Sequence, residues 1–178
     1  MILAVDNGSS YTPALFESIR KAGAPCDFRA FDDVGDIGGY SHYILSGRRR
    51  NDPAMNAANA SIIRHALEHG KPLLGICYGA ELLALVSGGT IRKMPRLAKG
   101  IENVTAVREN PLCSGDVEVY ESHAYEIARM PPPLIRLAGS ASCRNEIIQY
   151  GSLSVFGTQF HPEMTRGGRQ MVSNFLEI

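Results

Sequence analysis

The stretch that most constrains the fold of this chain is KPLLGICYGAELLALVSGG, residues 71–89, where one cysteine stands between two glycines. The apolar run PLLGI predicts a buried strand, and ELLALVS predicts a helix that ends at a Gly-Gly pair. A sharp turn from strand to helix crowds the residue at the turn, and small neighbours relieve that crowding. Gly75 and Gly79 are such neighbours, so we expect a strand–turn–helix unit with Cys77 at the turn.

The same unit is a layout that presents a nucleophile. The start of the following helix is expected to lower the pKa of the Cys77 thiol, and the Tyr78 N–H is placed to stabilise an oxyanion. The competing interpretation is a buried structural cysteine at the end of a strand. The flanking strand and helix patterns favour the nucleophile.

The first hundred residues alternate short apolar strands with helices. ILAV, CDFRAF, YSHYILS and PLLGI are strand candidates, and NAANASIIRHALEHG is a helix closed by Gly70. This alternation predicts an α/β fold of three layers, with helices flanking a mostly parallel central sheet. Beyond residue 100 the chain is expected to be β-rich until a closing helix in RGGRQMVSNFLEI. We find no linker or repeat, so residues 1–178 are expected to form a single domain.

Composition excludes several classes of function. Lys plus Arg and Asp plus Glu both number 18, which argues against binding nucleic acid or an anionic membrane through bulk charge. MILAVD is too short an apolar run for a signal peptide, and no run approaches the roughly 20 residues of a membrane helix. These absences, with cysteines expected to be reduced, predict a cytoplasmic protein.

No metal or cofactor is predicted. The four cysteines form no CxxC pair. His65 and His69 are four apart on a predicted helix and so share a face that could bind a metal ion. Without a third ligand nearby, a solvated helix face is the favoured interpretation.

A base for Cys77 is predicted in the segment QFHPE. Pro162 biases His161 towards an extended conformation, and in an extended chain Glu163 lies on the same side as His161. A carboxylate beside an imidazole holds its tautomer and supports its positive form, as in a Cys-His-acid triad. The alternative is a turn in which Glu163 faces solvent.

GICYG together with GTQFHPE resembles the class I (triad-type) glutamine amidotransferases, which pair a cysteine elbow with a downstream His-Pro-Glu. The likeness covers nearly the whole chain, because MILAVDNGSS resembles the family's first strand and loop, and YILSGRRR lies where the family has a Ser-Gly-Gly-Pro oxyanion loop. Three features are similar to the amidotransferase subunits that serve GMP synthesis. They are the tyrosine after the cysteine, ESHAYEIARMPP, and IRLAGSASCRNEIIQYGSLSVFGTQFHPE.

The resemblance implies a chemistry and a single glutamine amidotransferase domain over residues 1–178. Cys77 attacks the side-chain carboxamide of glutamine, His161 moves the proton from the thiol to the leaving ammonia, and Glu163 holds His161. The backbone N–H groups of Tyr78 and Arg48 meet the oxyanion. Water activated by His161 then hydrolyses the glutamyl thioester, and no metal is required.

The residues implied around the substrate depart from the family pattern. Four residues are implied to contact glutamine: Gly47, Glu81, Ser122 and His123. Arg48 and Arg49 replace a Gly-Pro pair, and Glu81 replaces a usual Gln. Tyr125 stands where the subunits that serve GMP synthesis commonly have an acidic residue. The arginine run is either a solvated loop or a surface for a partner or an anion.

The resemblance implies a glutaminase subunit that passes ammonia to a separate ATP-dependent synthetase subunit of the GMP synthetase type. The nearest alternative is an amidotransferase subunit for another acceptor, such as chorismate in anthranilate synthesis. A hydrolase of a different γ-glutamyl or amide bond is a further alternative. The altered arginine loop and Glu81 also leave open a catalytically impaired binding protein.

Overall fold

The computed structural model describes residues 1–178, which form one nine-stranded sheet and four α-helices. The strands are β1 (Ile2–Asn7), β2 (Cys26–Ala30), β3 (His42–Arg48), β4 (Leu73–Ile76), β5 (Thr90–Ala106), β6 (Asp116–Arg129), β7 (Leu134–Gly139), β8 (Ile147–Tyr150) and β9 (Val155–Thr158). The helices are α1 (Thr12–Lys21), α2 (Pro53–His69), α3 (Tyr78–Val86) and α4 (Arg166–Leu176), with a 3-10 turn at Pro162–Met164. None of these helices has the length and apolar character needed to cross a bilayer.

The strands follow the order β2-β1-β3-β4-β9-β8-β7-β5-β6. Neighbours are parallel from β2 to β9 and antiparallel from β9 to β6. The expected α/β fold with a parallel region and a β-rich second half is therefore confirmed. The second half continues the same sheet, because β9 returns to pair with β4. This pairing places the residue after β4, Cys77, beside the segment that leads to His161.

Helices cover both faces of the parallel region, as alternating strand residues require. Ile2 and Ala4 of β1 pack in the core under α1 and α4, while Leu3 and Val5 pack in the core under α2 and α3. All four side chains are buried. Because burying an aliphatic side chain contributes about 1.5–3 kcal/mol, these two cores determine which face each helix covers.

The long strands β5 and β6 form an antiparallel ribbon at one edge of the sheet. Their register shifts where Lys93 pairs with Tyr125 and Ala98 pairs with His123. Residues 94–97 of β5 therefore lie opposite the single residue Ala124 of β6. This irregularity leaves Leu97 61% exposed beside the residues that line the cavity described below.

The turn between β4 and α3 is strained. Cys77 has φ 51° and ψ −98°, and it is the one non-glycine residue with positive φ. A Cβ on Gly75 would lie 2.5 Å from the carbonyl carbon of Gly79, and a Cβ on Gly79 would lie 2.9 Å from the carbonyl oxygen of Leu45. Glycine is therefore required at both positions because α3 approaches β4 and β3 so closely. The Cys77 N–H donates to the carbonyl of Thr158 at 2.6 Å, which ties the turn to β9.

We expect Gly75→Ala to lower the free energy of unfolding by about 2–3 kcal/mol, because the new methyl group would collide with the backbone of α3. Urea unfolding followed by circular dichroism measures the change. Gly39→Ala is the matched control, since a Cβ there meets nothing within 4 Å and its φ is not positive. Equal unfolding midpoints for the two variants would contradict the steric requirement.

Candidate active site

Cys77 lies in a cavity of about 600 Å³ at the carboxyl edge of the parallel strands. The lining residues include Arg48, Tyr78, Glu81, Ser122 and His123. The Cys77 side chain stands at the N-terminus of α3 and is almost fully buried, with the Tyr78 backbone N–H directed to its sulfur. Ligands of open α/β sheets bind at this edge, where the loops after parallel strands converge.

His161 and Glu163 form a buried pair beside this cavity. Nδ1 of His161 lies 2.9 Å from Oε1 of Glu163, and each residue is 2% exposed. The His161 backbone N–H donates to the carbonyl of Tyr120 at 2.8 Å, which fixes the backbone of the pair. A carboxylate on Nδ1 leaves Nε2 as the basic nitrogen.

The backbone conformation that brings Glu163 to His161 differs from the extended one that the sequence predicts. His161 is extended, with φ −99° and ψ 92°, but Glu163 lies in a 3-10 turn rather than in an extended chain. The turn folds the carboxylate back onto the imidazole. Pro162 begins that turn, where its missing N–H costs no hydrogen bond.

Gly47, at the end of β3, brings the pair and the cysteine together. A Cβ on Gly47 would lie 2.8 Å from Cε1 of His161 and 3.6 Å from Cβ of Cys77. Both side chains therefore border the same small volume, and any larger residue at Gly47 would push the imidazole away. The preceding residue is held by a buried network, in which Ser46 Oγ accepts from the Asn7 N–H at 2.9 Å.

Tyr11 is a site residue that sequence reasoning missed. Its ring lies on that of His161, with centroids 4.4 Å apart, and its hydroxyl donates to Ser122 Oγ at 3.1 Å. The only available signal was its position in the loop after β1, on the same carboxyl edge as Cys77. No motif distinguishes such a tyrosine from any other loop residue.

The expectation of a lowered thiol pKa is wrong. Burial raises the pKa of Cys77 well above its usual value, and the charges of Glu81, Glu163 and Glu121 raise it further. The Tyr78 N–H lowers the pKa of Cys77, but by less. Desolvation and nearby carboxylates therefore outweigh the helix N-terminus. In the ligand-free site Cys77 is a neutral thiol at neutral pH.

Two departures from the family pattern, Arg48 and Glu81, line the same cavity. The Arg48 guanidinium lies 4.3 Å from the centre of the Tyr78 ring and donates to Asn56 Oδ1 at 3.0 Å. Burial raises the pKa of Glu81, while the charge of Arg48 lowers it. Arg48 has no positive φ, so the loop does not need glycine at this position. These two departures therefore place a cationic and an acidic side chain in the same cavity.

His123 lines the cavity, but other groups of the chain hold both of its ring nitrogens. Its Nε2 lies 2.7 Å from Oε2 of Glu121, and its Nδ1 lies 2.7 Å from the carbonyl oxygen of Tyr125. Both ring nitrogens thus face other groups of the chain, which leaves the ring carbons and the backbone to meet a ligand. Ser122 offers the cavity its hydroxyl, held by Tyr11.

The His65 and His69 rings stack 4.2 Å apart on α2, with His69 Nδ1 2.9 Å from the carbonyl oxygen of His65. No third side chain with a metal-binding atom joins them. A different group of possible ligands does come together, consisting of His123, Cys143 and Glu146. These residues come from two separate segments and form no recognised ligand spacing.

A sequence model of the family described as Glutamine amidotransferase class-I matches residues 3–178. The chain is 30% identical to a subunit of the glutamine-hydrolyzing GMP synthase of Pyrococcus furiosus, with 100% of this chain and 98% of that protein covered. It is 29% identical to the corresponding subunit of Thermoplasma acidophilum, with 99% and 92% covered. A glutamine-hydrolyzing GMP synthase of Flavobacterium psychrophilum is 31% identical over 98% of this chain but only 35% of its own length.

Solved structures share the fold. A crystal structure from Thermoplasma acidophilum, provisionally described as a GMP synthase subunit, has a TM-score of 0.87 at 28% identity and covers 99% of this chain and 92% of its own. A glutamine amidotransferase from Thermotoga maritima has a TM-score of 0.76 at 21% identity, covers 96% of this chain and 80% of its own, and shows the common fold alone.

We expect the rate at which iodoacetamide alkylates Cys77 in the ligand-free protein to rise about tenfold per pH unit between pH 7 and 9, because only the thiolate reacts and the raised pKa keeps the thiol protonated. Mass spectrometry of the peptide that contains Cys77 measures the rate, and Cys77→Ala identifies that peptide. A plateau below pH 8 would contradict the raised pKa.

Proposed function

This chain belongs to the class I glutamine amidotransferase family, and on that premise we propose that it is the glutamine-hydrolysing subunit of a two-subunit GMP synthase. The observation that carries the proposal is the meeting of Cys77 with the His161–Glu163 pair around Gly47, beside the cavity that Cys77 lines. A cysteine, a base and an orienting carboxylate are the groups that acyl transfer from an amide needs. The names of the relatives support GMP synthesis as the pathway that uses the ammonia.

The first step is attack of the Cys77 sulfur on the side-chain carbonyl carbon of glutamine. The thiol proton passes to Nε2 of His161 as the carbon–sulfur bond forms. Because burial disfavours a free thiolate, proton transfer and attack are coupled. The resulting imidazolium is stabilised by the buried carboxylate of Glu163.

The tetrahedral intermediate carries a negative oxygen. We assign its stabilisation to the backbone N–H groups of Tyr78 and Arg48. Each of these donors would lower the barrier by about 3–4 kcal/mol. The carbon–nitrogen bond then breaks as His161 returns its proton to the leaving ammonia. Water that loses a proton to His161 attacks the thioester, and glutamate leaves as the Cys77 thiol is restored.

The two departures from the family pattern form a complementary pair for the amino-acid end of glutamine. Arg48 provides a cation for the α-carboxylate, and Glu81 provides a carboxylate for the α-ammonium group. Glu81 is only 6% exposed, so a cationic partner would stabilise its charged form. Gly47, Ser122 and His123 complete the wall around the substrate.

The released ammonia requires an acceptor, which we place on a separate ATP-dependent GMP synthetase subunit that uses xanthosine monophosphate. The relatives matched along almost their whole length are each named as one subunit of GMP synthase, which implies a second one. The β5–β6 ribbon offers a docking surface at the cavity mouth, where Leu97 is 61% and Tyr125 45% exposed. Arg49 and Arg50 add positive charge to the same mouth.

We further propose that residues 1–178 act as one amidotransferase domain, since all the named site residues belong to the single sheet and its loops. Its four cysteines are free, which is consistent with the reducing conditions of the cytoplasm.

The test is glutamate release from glutamine by the wild type and by Cys77→Ala, each alone and with a GMP synthetase subunit, ATP and xanthosine monophosphate. We expect Cys77→Ala to lower the rate by at least about 1,000-fold, because the nucleophile is lost. We also expect the wild-type rate to rise when the loaded synthetase is present. Cys77-dependent release that ignores the synthetase would overturn the pairing and indicate another acceptor. Cleavage of γ-glutamyl compounds but not of glutamine would indicate a different hydrolase.

We expect Arg48→Met to raise KM for glutamine about 10- to 100-fold with kcat nearly unchanged, because the α-carboxylate keeps the same contact in the ground and transition states. The backbone N–H at this position survives the substitution, so the oxyanion contact is kept. Arg50→Met is the matched control, an exposed arginine at the same cavity mouth. Equal KM values for the two variants would contradict the assignment.

A further inference from the structure

A second group of reactive side chains lies buried next to the cavity and shares only His123 with the substrate wall. It consists of His123, Cys143 and Glu146, which each offer one donor atom within 4.8 Å of the others. Their exposures are 4%, 1% and 0%. We propose that this cluster binds a divalent transition-metal ion, for which Zn²⁺ has the best-matched ligand preferences.

The orientation of His123 suits a metal ligand. Its Nδ1 lies 2.7 Å from the carbonyl oxygen of Tyr125 and so carries the proton that makes this hydrogen bond. Nε2 shares a proton with Oε2 of Glu121 at 2.7 Å, and a metal ion that displaces this proton would gain the Nε2 lone pair. Histidines that bind metal ions usually donate their other ring N–H to a carbonyl or carboxylate in this way, which fixes the ring for coordination.

Two buried carboxylate oxygens in this region have no hydrogen-bond partner, Oε2 of Glu146 and Oε1 of Glu121. The other oxygen of Glu146 accepts from the Ser140 hydroxyl at 2.6 Å, which positions the carboxylate. An unpaired polar oxygen buried in protein is costly, so each such atom points to a missing positive partner. A cation held by Glu146 would supply it.

Glu121 lies beside the cluster and is a candidate for a fourth ligand. Its Oε2 lies 2.7 Å from Nε2 of His123. Glu121 Oε1 and Glu146 Oε2 both lack a hydrogen-bond partner, so a metal ion beside the two carboxyl groups would give each of them an attractive partner.

The donor set decides the class of ion. Mg²⁺ and Ca²⁺ prefer oxygen ligands alone, whereas a thiolate with an imidazole and a carboxylate is typical of Zn²⁺. The Cys143 thiolate and two carboxylates would also offset the charge of a divalent ion. Bound there, the ion would tie β6 to the loop after β7, because Glu121 and His123 belong to β6 while Cys143 and Glu146 lie between β7 and β8.

The test uses the full chain carrying Cys77→Ala, so that the catalytic thiol cannot bind metal, after removal of metals with a chelator. Titration with Co²⁺ is expected to give one equivalent of bound ion and a thiolate-to-cobalt charge-transfer band, which Zn²⁺ then abolishes by displacement. This optical readout is independent of glutamine hydrolysis, so its result does not depend on the proposed function.

Two substitutions in the same background locate the site. Cys143→Ser is expected to remove the charge-transfer band, and Glu146→Gln to weaken Zn²⁺ binding by about 100-fold or more. Cys113→Ser is the matched control, since Cys113 is a free cysteine outside the cluster and its loss is expected to change nothing. Circular dichroism verifies folding, and Glu146→Gln preserves shape if Cys143→Ser fails to fold. Absence of stoichiometric Co²⁺ binding, or Zn²⁺ binding unaltered by Glu146→Gln, would overturn the proposal.

Discussion

The site depends on the close approach of α3 to β4. Gly75 and Gly79 permit this approach because they have no Cβ, and a Cβ at either position would collide with nearby backbone atoms. The approach places Cys77 at a turn with positive φ, a conformation that costs on the order of 1–3 kcal/mol and persists only because its surroundings hold it. The hydrogen bond from Cys77 to Thr158 supplies part of that support and ties the turn to the strand that leads to His161. Packing thus provides both the strain and the position of the nucleophile.

The return of β9 to the side of β4 joins the two halves of the chain. That pairing brings Cys77, which follows β4, close to His161, which follows β9. The antiparallel half is therefore more than an extension of the sheet. Its β5–β6 ribbon forms one wall of the cavity, and its β6 strand carries His123 to both the cavity and the buried cluster.

Burial is the common cause of the electrostatics around the site. It raises the pKa values of Cys77 and Glu81 alike, because a charge loses its hydration in the interior. Each charged group therefore needs a specific partner. Glu163 has His161 and Glu121 has His123, while Glu81 interacts with the charge of Arg48. The pairing explains why the arginine and the glutamate that depart from the family pattern occur in one cavity.

The sequence by itself determined the features that depend on neighbouring residues. The glycines around Cys77, the apolar runs and Gly70 at the end of α2 were sufficient to predict the α/β fold, because strand and helix patterns and turn sterics are local. The segment QFHPE also indicated which histidine and carboxylate to consider. Only the tertiary structure decided the raised pKa of Cys77, the ring of Tyr11 on His161 and the 3-10 turn that brings Glu163 back.

The cluster of His123, Cys143 and Glu146 is also a feature that only the tertiary structure decided. Its members come from two segments that meet only when β6 packs beside the loop after β7, and no short motif encodes that meeting. Burial and long-range contact are properties of the folded chain as a whole. The sequence therefore determined which residues could act, and the tertiary structure decided which of them share an environment and what charge each can carry there.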